Sequence, residues 1–181
     1  MKQIEYFYNV IYYFFYRAAI KFAKGSIYIG MPILKVFYFF VNRIPSIRKY
    51  YVTEENDDPL DAALKRTKKF TENPTLGIGT IIGAGLAQNN FLLFYIGMYH
   101  IIKHFLFPTF EDKFIYIIVI TVILAFLTDV VFAQINDKSI KYIKEFNKKK
   151  GWWRTKWKII TILSPFVSLA FCLYSAWYID V

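Results

Sequence analysis

The run Lys148-Lys149-Lys150-Gly151-Trp152-Trp153-Arg154-Thr155-Lys156-Trp157-Lys158 closes a connector, residues 138–158, that carries nine Lys/Arg against one acid, Glu145. Its flanks have the opposite character. Residues 114–133 hold one charge in twenty, and residues 159–179 none in twenty-one. Twenty apolar residues in a helix rise about 30 Å, the thickness of a bilayer's hydrocarbon core. A basic, tryptophan-rich connector between two such runs predicts an all-α polytopic membrane protein.

Composition supports this. The chain has 181 residues, 56% of them apolar and 21% aromatic, with a net charge of +10. A soluble domain of this size has too little interior to cover so many Phe, Tyr and Ile side chains, whereas lipid accepts them directly. The positive charge gathers in connectors and amphipathic segments, which suits membrane lipids with anionic headgroups. It follows no nucleic-acid motif, and no nucleic-acid partner is expected. Cys172 is the single cysteine and lies inside an apolar run, so neither an intrachain disulfide nor a Cys/His zinc site is available. The start of the chain does not read as a cleavable signal peptide, because its basic residues follow the apolar run.

Three regions are expected. Residues 1–42 form an aromatic membrane-interface or hairpin region, 43–75 a cytoplasmic linker with a short helix, and 76–181 a transmembrane helical bundle. In the first region Tyr6 to Tyr16 is broken only by Asn9, and Arg17, Lys21 and Lys24 then share a helical face. Gly25-Ser26 is expected to end that helix before a second apolar stretch, 27–41, that contains Pro32 and Lys35. A Lys or Arg near the centre of a span costs roughly 2.5–3.5 kcal/mol. Two interfacial or re-entrant helices are therefore preferred over a further transmembrane hairpin. In the second region Asp58 reads as an N-cap, Pro59 as the first helical residue and Asn73-Pro74 as the stop, giving a helix from Pro59 to about Thr71.

Three spans follow. The first lies within 75–107, either as a span of about 76–96 with Gln88, Asn89 and Asn90 buried in a bundle, or as a re-entrant glycine-rich piece before a crossing at 91–106. Residues 114–133 and 159–179 are the second and third, and Pro165, beside Ser164 and Ser168, is expected to kink the third. The basic connectors 43–75 and 138–158 place both on the cytoplasmic side. The expected location is a bacterial cytoplasmic (inner) membrane, with the N-terminus inside and the C-terminus outside.

Within this frame several residues stand out. Asp129 is an intramembrane carboxyl near the inner end of its span, and such groups are costly unless they face a bundle interior or water. It reads as a proton or cation site or a subunit partner, or else as a carboxyl reaching the interface toward Lys138 or Arg154. Gly79 and Gly83, in GxxxG spacing, mark a helix-packing face. Gln88, Asn89 and Asn90 need partners across helices or a cavity to line. Trp152, Trp153 and Trp157 with Lys150 and Arg154 read as a membrane anchor. His100 and His104, at i and i+4, could hold a metal, yet two histidines are too few for a multi-histidine centre, and no metal or cofactor is expected. No nucleophile–base pair is apparent, so an enzyme is the less expected reading.

These features predict a non-enzymatic integral subunit, scaffold or regulatory partner of a membrane assembly, associating with other subunits or with itself. The alternative is a homo-oligomeric pore lined by the Gly-rich, Gln-Asn-Asn-bearing span. A membrane enzyme or small transporter using His100, His104, Glu111 or Asp129 comes third.

Overall fold

The computed structural model describes residues 2–41, 43–44, 59–106 and 114–179. Among these the secondary structure is helical, joined by short turns and with no strand. In chain order the helices are α1 (Lys2–Val41), α2 (Pro59–Glu72), α3 (Ile78–Leu106), α4 (Phe114–Asp129), α5 (Lys138–Lys148) and α6 (Trp152–Ile179). A π-helical turn, Val130–Gln134, and a 3-10 turn, Ile135–Asp137, join α4 to α5. Three stretches are long and apolar enough to cross a membrane: Ile78–Leu106, Ile115–Lys148 and Trp152–Tyr178. Each carries an exposed apolar surface, for example Ile102 on α3, Phe126 on α4 and Phe166 on α6.

The chain divides into two compact units, one made of Met1–Tyr16 with Gly83–Val181, the other of Arg17–Ile82. In the first, the N-terminal turns of α1 are the core. Tyr8, Asn9, Val10, Ile11, Tyr12 and Tyr13 are six consecutive residues with at most 2% of their surface exposed. Six in a row cover every side of a helix, so this segment is enclosed by protein. That differs from the expected interfacial helix, which would leave one face to headgroups. The physical reason is that the aromatic run carries hydroxyls and an amide, Tyr8, Asn9 and Tyr13, that find partners on the other helices.

In the second unit α1 continues without a break, which corrects the expected end at Gly25-Ser26. The Ser26 hydroxyl donates back to the Phe22 carbonyl at 3.0 Å, so it does not compete with the helix. No chain reversal occurs within α1, and no hairpin forms there. Helix α2 begins at Pro59 and ends at Glu72, close to its expected limits. The expected N-cap Asp58 and acidic linker, the loop holding Glu111 and Asp112, and the terminal Asp180-Val181 lie outside the described residues. After α2, Asn73 builds a tight turn. Its side-chain oxygen accepts from the Thr75 and Leu76 amides, while its carbonyl accepts from the Gly77 amide at 3.0 Å. A Cβ on Gly77 would lie 2.4 Å from the backbone oxygens of Phe70 and Asn73, so only glycine fits. Lys24 and Glu72 pair at 2.5 Å across this unit.

Helix α3 runs unbroken for 29 residues, about 43 Å. It replaces the expected limits 76–96, and the re-entrant alternative does not occur. Helix α4 turns π-helical at Val130, before the expected end at 133. The basic connector contains a helix of its own, α5, which buries Ile143 and Phe146.

Candidate functional site

The polar residues of the first unit concentrate where the start of α1 meets the end of α4. Helix α4 buries Ile117, Thr121, Ala125, Thr128 and Asp129 along one face, and Asp129 is 1% exposed. Tyr8 donates its hydroxyl to Asp129 Oδ1 at 2.6 Å, and Gln134 donates from Nε2 to Oδ2 at 2.7 Å. Each carboxyl oxygen therefore has a donor, the condition under which a buried acid is tolerated.

The π-turn makes the second bond possible. A π-turn widens the helix to an i+5 bond, seen here from the Ile135 amide to the Val130 carbonyl. Gln134, five residues beyond Asp129, is thereby brought over it. Asn136 and Asp137 then adopt left-handed backbone angles, φ 60° and 54°, which Asn and Asp accept more readily than most residues. They end the α4 direction and start α5.

Neighbouring contacts tie α1 to this turn. Asn9 donates from Nδ2 to the Phe132 carbonyl at 2.8 Å and to the Glu5 carbonyl at 2.9 Å. Lys138 Nζ pairs with Glu5 Oε2 at 2.9 Å and donates to the Val131 carbonyl, while Tyr142 donates to Glu5 Oε1. Tyr13 donates to Asn147 Oδ1 at 3.0 Å. Tyr6 fills the aromatic centre, edge-on to Tyr142, Phe146 and Trp157, and its hydroxyl accepts from Trp153 Nε1.

Asp129 thus contacts neither Lys138 nor Arg154, its expected interfacial partners. Lys138 is taken by Glu5, and Arg154 donates to the Asn147 carbonyl. The tryptophans also divide. Trp153 and Trp157 pack inward on Tyr6, Phe7, Phe14 and Phe146, whereas Trp152 is 75% exposed. Lys150 is exposed beside it.

A second polar cluster joins α3 to α6. Asn90 donates from Nδ2 to Ser164 Oγ at 3.2 Å and accepts at Oδ1 from Ser168 Oγ at 2.9 Å. Ser164 itself donates to the Thr161 carbonyl. That carbonyl is the one Pro165, lacking an N–H, leaves without its usual helical donor. Of the other amides, Gln88 is half-buried and Asn89 is exposed, so the three do not act together. Further along, Tyr95 meets Thr128 Oγ1 at 2.6 Å; Thr128 spends its own proton on the Leu124 carbonyl, so Tyr95 is the donor.

The small-residue face is used at two points. A Cβ on Gly83 would come within 2.8 Å of the Tyr16 backbone, and one on Gly97 within 2.6 Å of the Phe171 ring. Gly83 therefore seats α1 on α3, and Gly97, which the sequence pattern did not single out, seats α6 on α3. Gly79 is buried in the other unit. His104 is exposed and packs on Phe105 and Tyr178, His100 is half-buried beside Tyr99, and no group of three metal-ligating side chains occurs among the described residues.

Sequence reasoning singled out Asp129 and Asn90 but not Tyr8, Gln134, Ser164 or Ser168 as their partners, nor Asn9 as the tie between α1 and the Phe132 carbonyl. The signal that existed was the solitary Asn9 in an otherwise apolar run, since a lone amide there must be paired. No family model, curated protein or solved structure matches this chain.

Proposed function

We propose that this chain is a non-enzymatic integral membrane subunit, scaffold or regulatory partner of a larger membrane assembly. The observation that carries the reading is how the polar groups of the long helices are spent. Asp129 is occupied by Tyr8 and Gln134, and Asn90 by Ser164 and Ser168. Side chains used this way fix the helices of the first unit against one another and leave it an apolar outer surface, suited to lipid and neighbouring subunits. In this reading the three long helices cross a bacterial cytoplasmic membrane, with the basic connectors inside and the C-terminus outside. Exposed Lys141, Lys144, Lys148 and Trp152 face anionic headgroups.

Purification at native expression in a mild detergent tests it. Migration with a defined second chain at fixed stoichiometry supports the subunit reading, and recovery as a lone monomer refutes it. One observation favours a second reading, a homo-oligomeric pore: Asn89 is exposed on α3 and open to another copy. Reconstitution into planar bilayers separates the two. A conductance that disappears in Asn89→Leu supports the pore, whereas a silent bilayer excludes it.

A further inference from the structure

Helix α3 has one side that the rest of its unit leaves open. Its contacts with α1, α4 and α6 are made by Gly83, Asn90, Phe91, Phe94, Tyr95 and Gly97. At about 100° per residue, Gly85, Asn89, Leu92 and Ile96 fall within about 60° of one another, on the side those contacts leave free. All four belong to the first unit. A Cβ on Gly85 would meet nothing within 4 Å, Asn89 is exposed, and Leu92 and Ile96 are half-buried. Their alternating spacing of four and three residues is the repeat of a packed helical seam.

Asn89 is the costly member of this side. It makes no hydrogen bond to any described residue, and neither does the adjoining Gln88. A span takes about twenty residues, and any such stretch within Ile78–Leu106 includes Asn89. The amide therefore lies in hydrocarbon wherever the bilayer meets α3. An amide there needs both a donor and an acceptor, and acyl chains supply neither.

We infer that the Gly85–Asn89–Leu92–Ile96 side of α3 is a two-fold seam against α3 of a second copy of this chain. Two copies inserted the same way are related by a two-fold axis along the membrane normal. Their α3 helices then run parallel, and each residue meets its own equivalent. An asparagine is donor and acceptor at once, so Asn89 of each copy satisfies the other. A small residue at position 85 lets the two backbones approach closely enough for such short amides to meet. A lone asparagine in an apolar seam also fixes register and pairing. No charged residue lies between Gly83 and Tyr99, so nothing along the seam repels. A helix of another protein would need a matching amide at the same depth, which a second copy brings by symmetry. The inference rests on the reading of this chain as a membrane subunit and names its neighbour.

Full-length protein carrying Cys172→Ser is labelled with donor or acceptor fluorophores at Phe166→Cys, an exposed position on α6. Both populations are reconstituted together into phosphatidylcholine–phosphatidylglycerol vesicles, and energy transfer over a series of protein-to-lipid ratios gives the dissociation constant. Transfer should fit two copies. Asn89→Leu and Gly85→Leu should each raise the constant about tenfold, and Asn89→Gln, which keeps an amide, should raise it less. Oxidation of Ile96→Cys in the same Cys172→Ser background should link two copies without any disruptive substitution. Ile123→Cys, exposed on α4, should not link. Transfer no greater than random encounter, or a constant unmoved by Asn89→Leu, overturns the seam. An assembly of more than two copies that conducts overturns it too, and assigns the face to a pore. A chain that is monomeric in vesicles yet migrates with a different protein at native expression overturns the seam and leaves the subunit reading standing. A monomer with no companion removes both.

Discussion

Asp129→Ala should release the start of α1 from the rest of its unit. The substitution deletes two hydrogen bonds, from Tyr8 at 2.6 Å and from Gln134 at 2.7 Å. The two donors fare differently. Gln134 is exposed, and its amide can turn to water. Tyr8 is 0% exposed, and its hydroxyl is left buried without an acceptor. A hydrogen bond to an acidic side chain is worth about 1.5–3 kcal/mol, and a stranded buried donor costs about 1–3 kcal/mol. The total is about 3–4 kcal/mol for Asp129→Ala and about 2 kcal/mol for Tyr8→Phe, which strands no donor. The double variant should lose less than Asp129→Ala alone, because removing the Tyr8 hydroxyl also removes the stranded group. The coupling energy is then at least about 2 kcal/mol. Equilibrium unfolding in mixed micelles measures it, followed by tryptophan emission, since Trp153 and Trp157 pack on Tyr6 and Phe14 and report release of α1. Additive losses, with a coupling below about 0.5 kcal/mol, would refute the reasoning.

Asn90→Leu should weaken the α3–α6 contact by about 1–2 kcal/mol, and Ser168→Ala by less, because Asn90 keeps its bond to Ser164; the same unfolding titration ranks them. Gly83→Ala should cost about 1–3 kcal/mol, since its Cβ meets the Tyr16 backbone, which cannot rotate away. Gly85→Ala, with nothing within 4 Å, should be neutral or stabilising by about 0.5–1 kcal/mol, and equal losses at the two sites would contradict the close approach at Gly83. Lys24, which hydrogen-bonds Glu72, holds that carboxyl below the usual carboxylate range. The pairing therefore contributes fully above the unfolded Glu value of about 4.3 and is lost as pH falls through the lower folded value. Amide exchange of α2 should speed up in acid in the wild type, and Glu72→Gln should show the faster exchange already at neutral pH.

The basic connector with its apolar flanks, and the separate apolar stretch 75–107, were enough to predict an all-helical chain with three span-length helices, because length and charge act locally and need no knowledge of neighbours. The limits of α2 were legible for the same reason: Pro59 opens it, and Asn73-Pro74 cannot continue it. The expected end at Gly25-Ser26 was wrong because glycine and serine only weaken a helix, and Ser26 bonds back to it. Asp129 and Asn90 were visible as expensive groups. Their roles were not, because a carboxyl or amide in an apolar run announces only that it needs a partner. Tyr8 lies 121 residues from Asp129, and Ser168 lies 78 from Asn90, separations that no local pattern encodes.

Only tertiary structure decided that the aromatic start of α1 is the core of its unit, that a π-turn carries Gln134 back over Asp129, and that Trp153 and Trp157 turn inward while Trp152 stays out. Hydrophobicity fixes that a side chain leaves water. Whether it leaves for lipid or for protein depends on which hydroxyls, amides and rings the other helices bring to the same place.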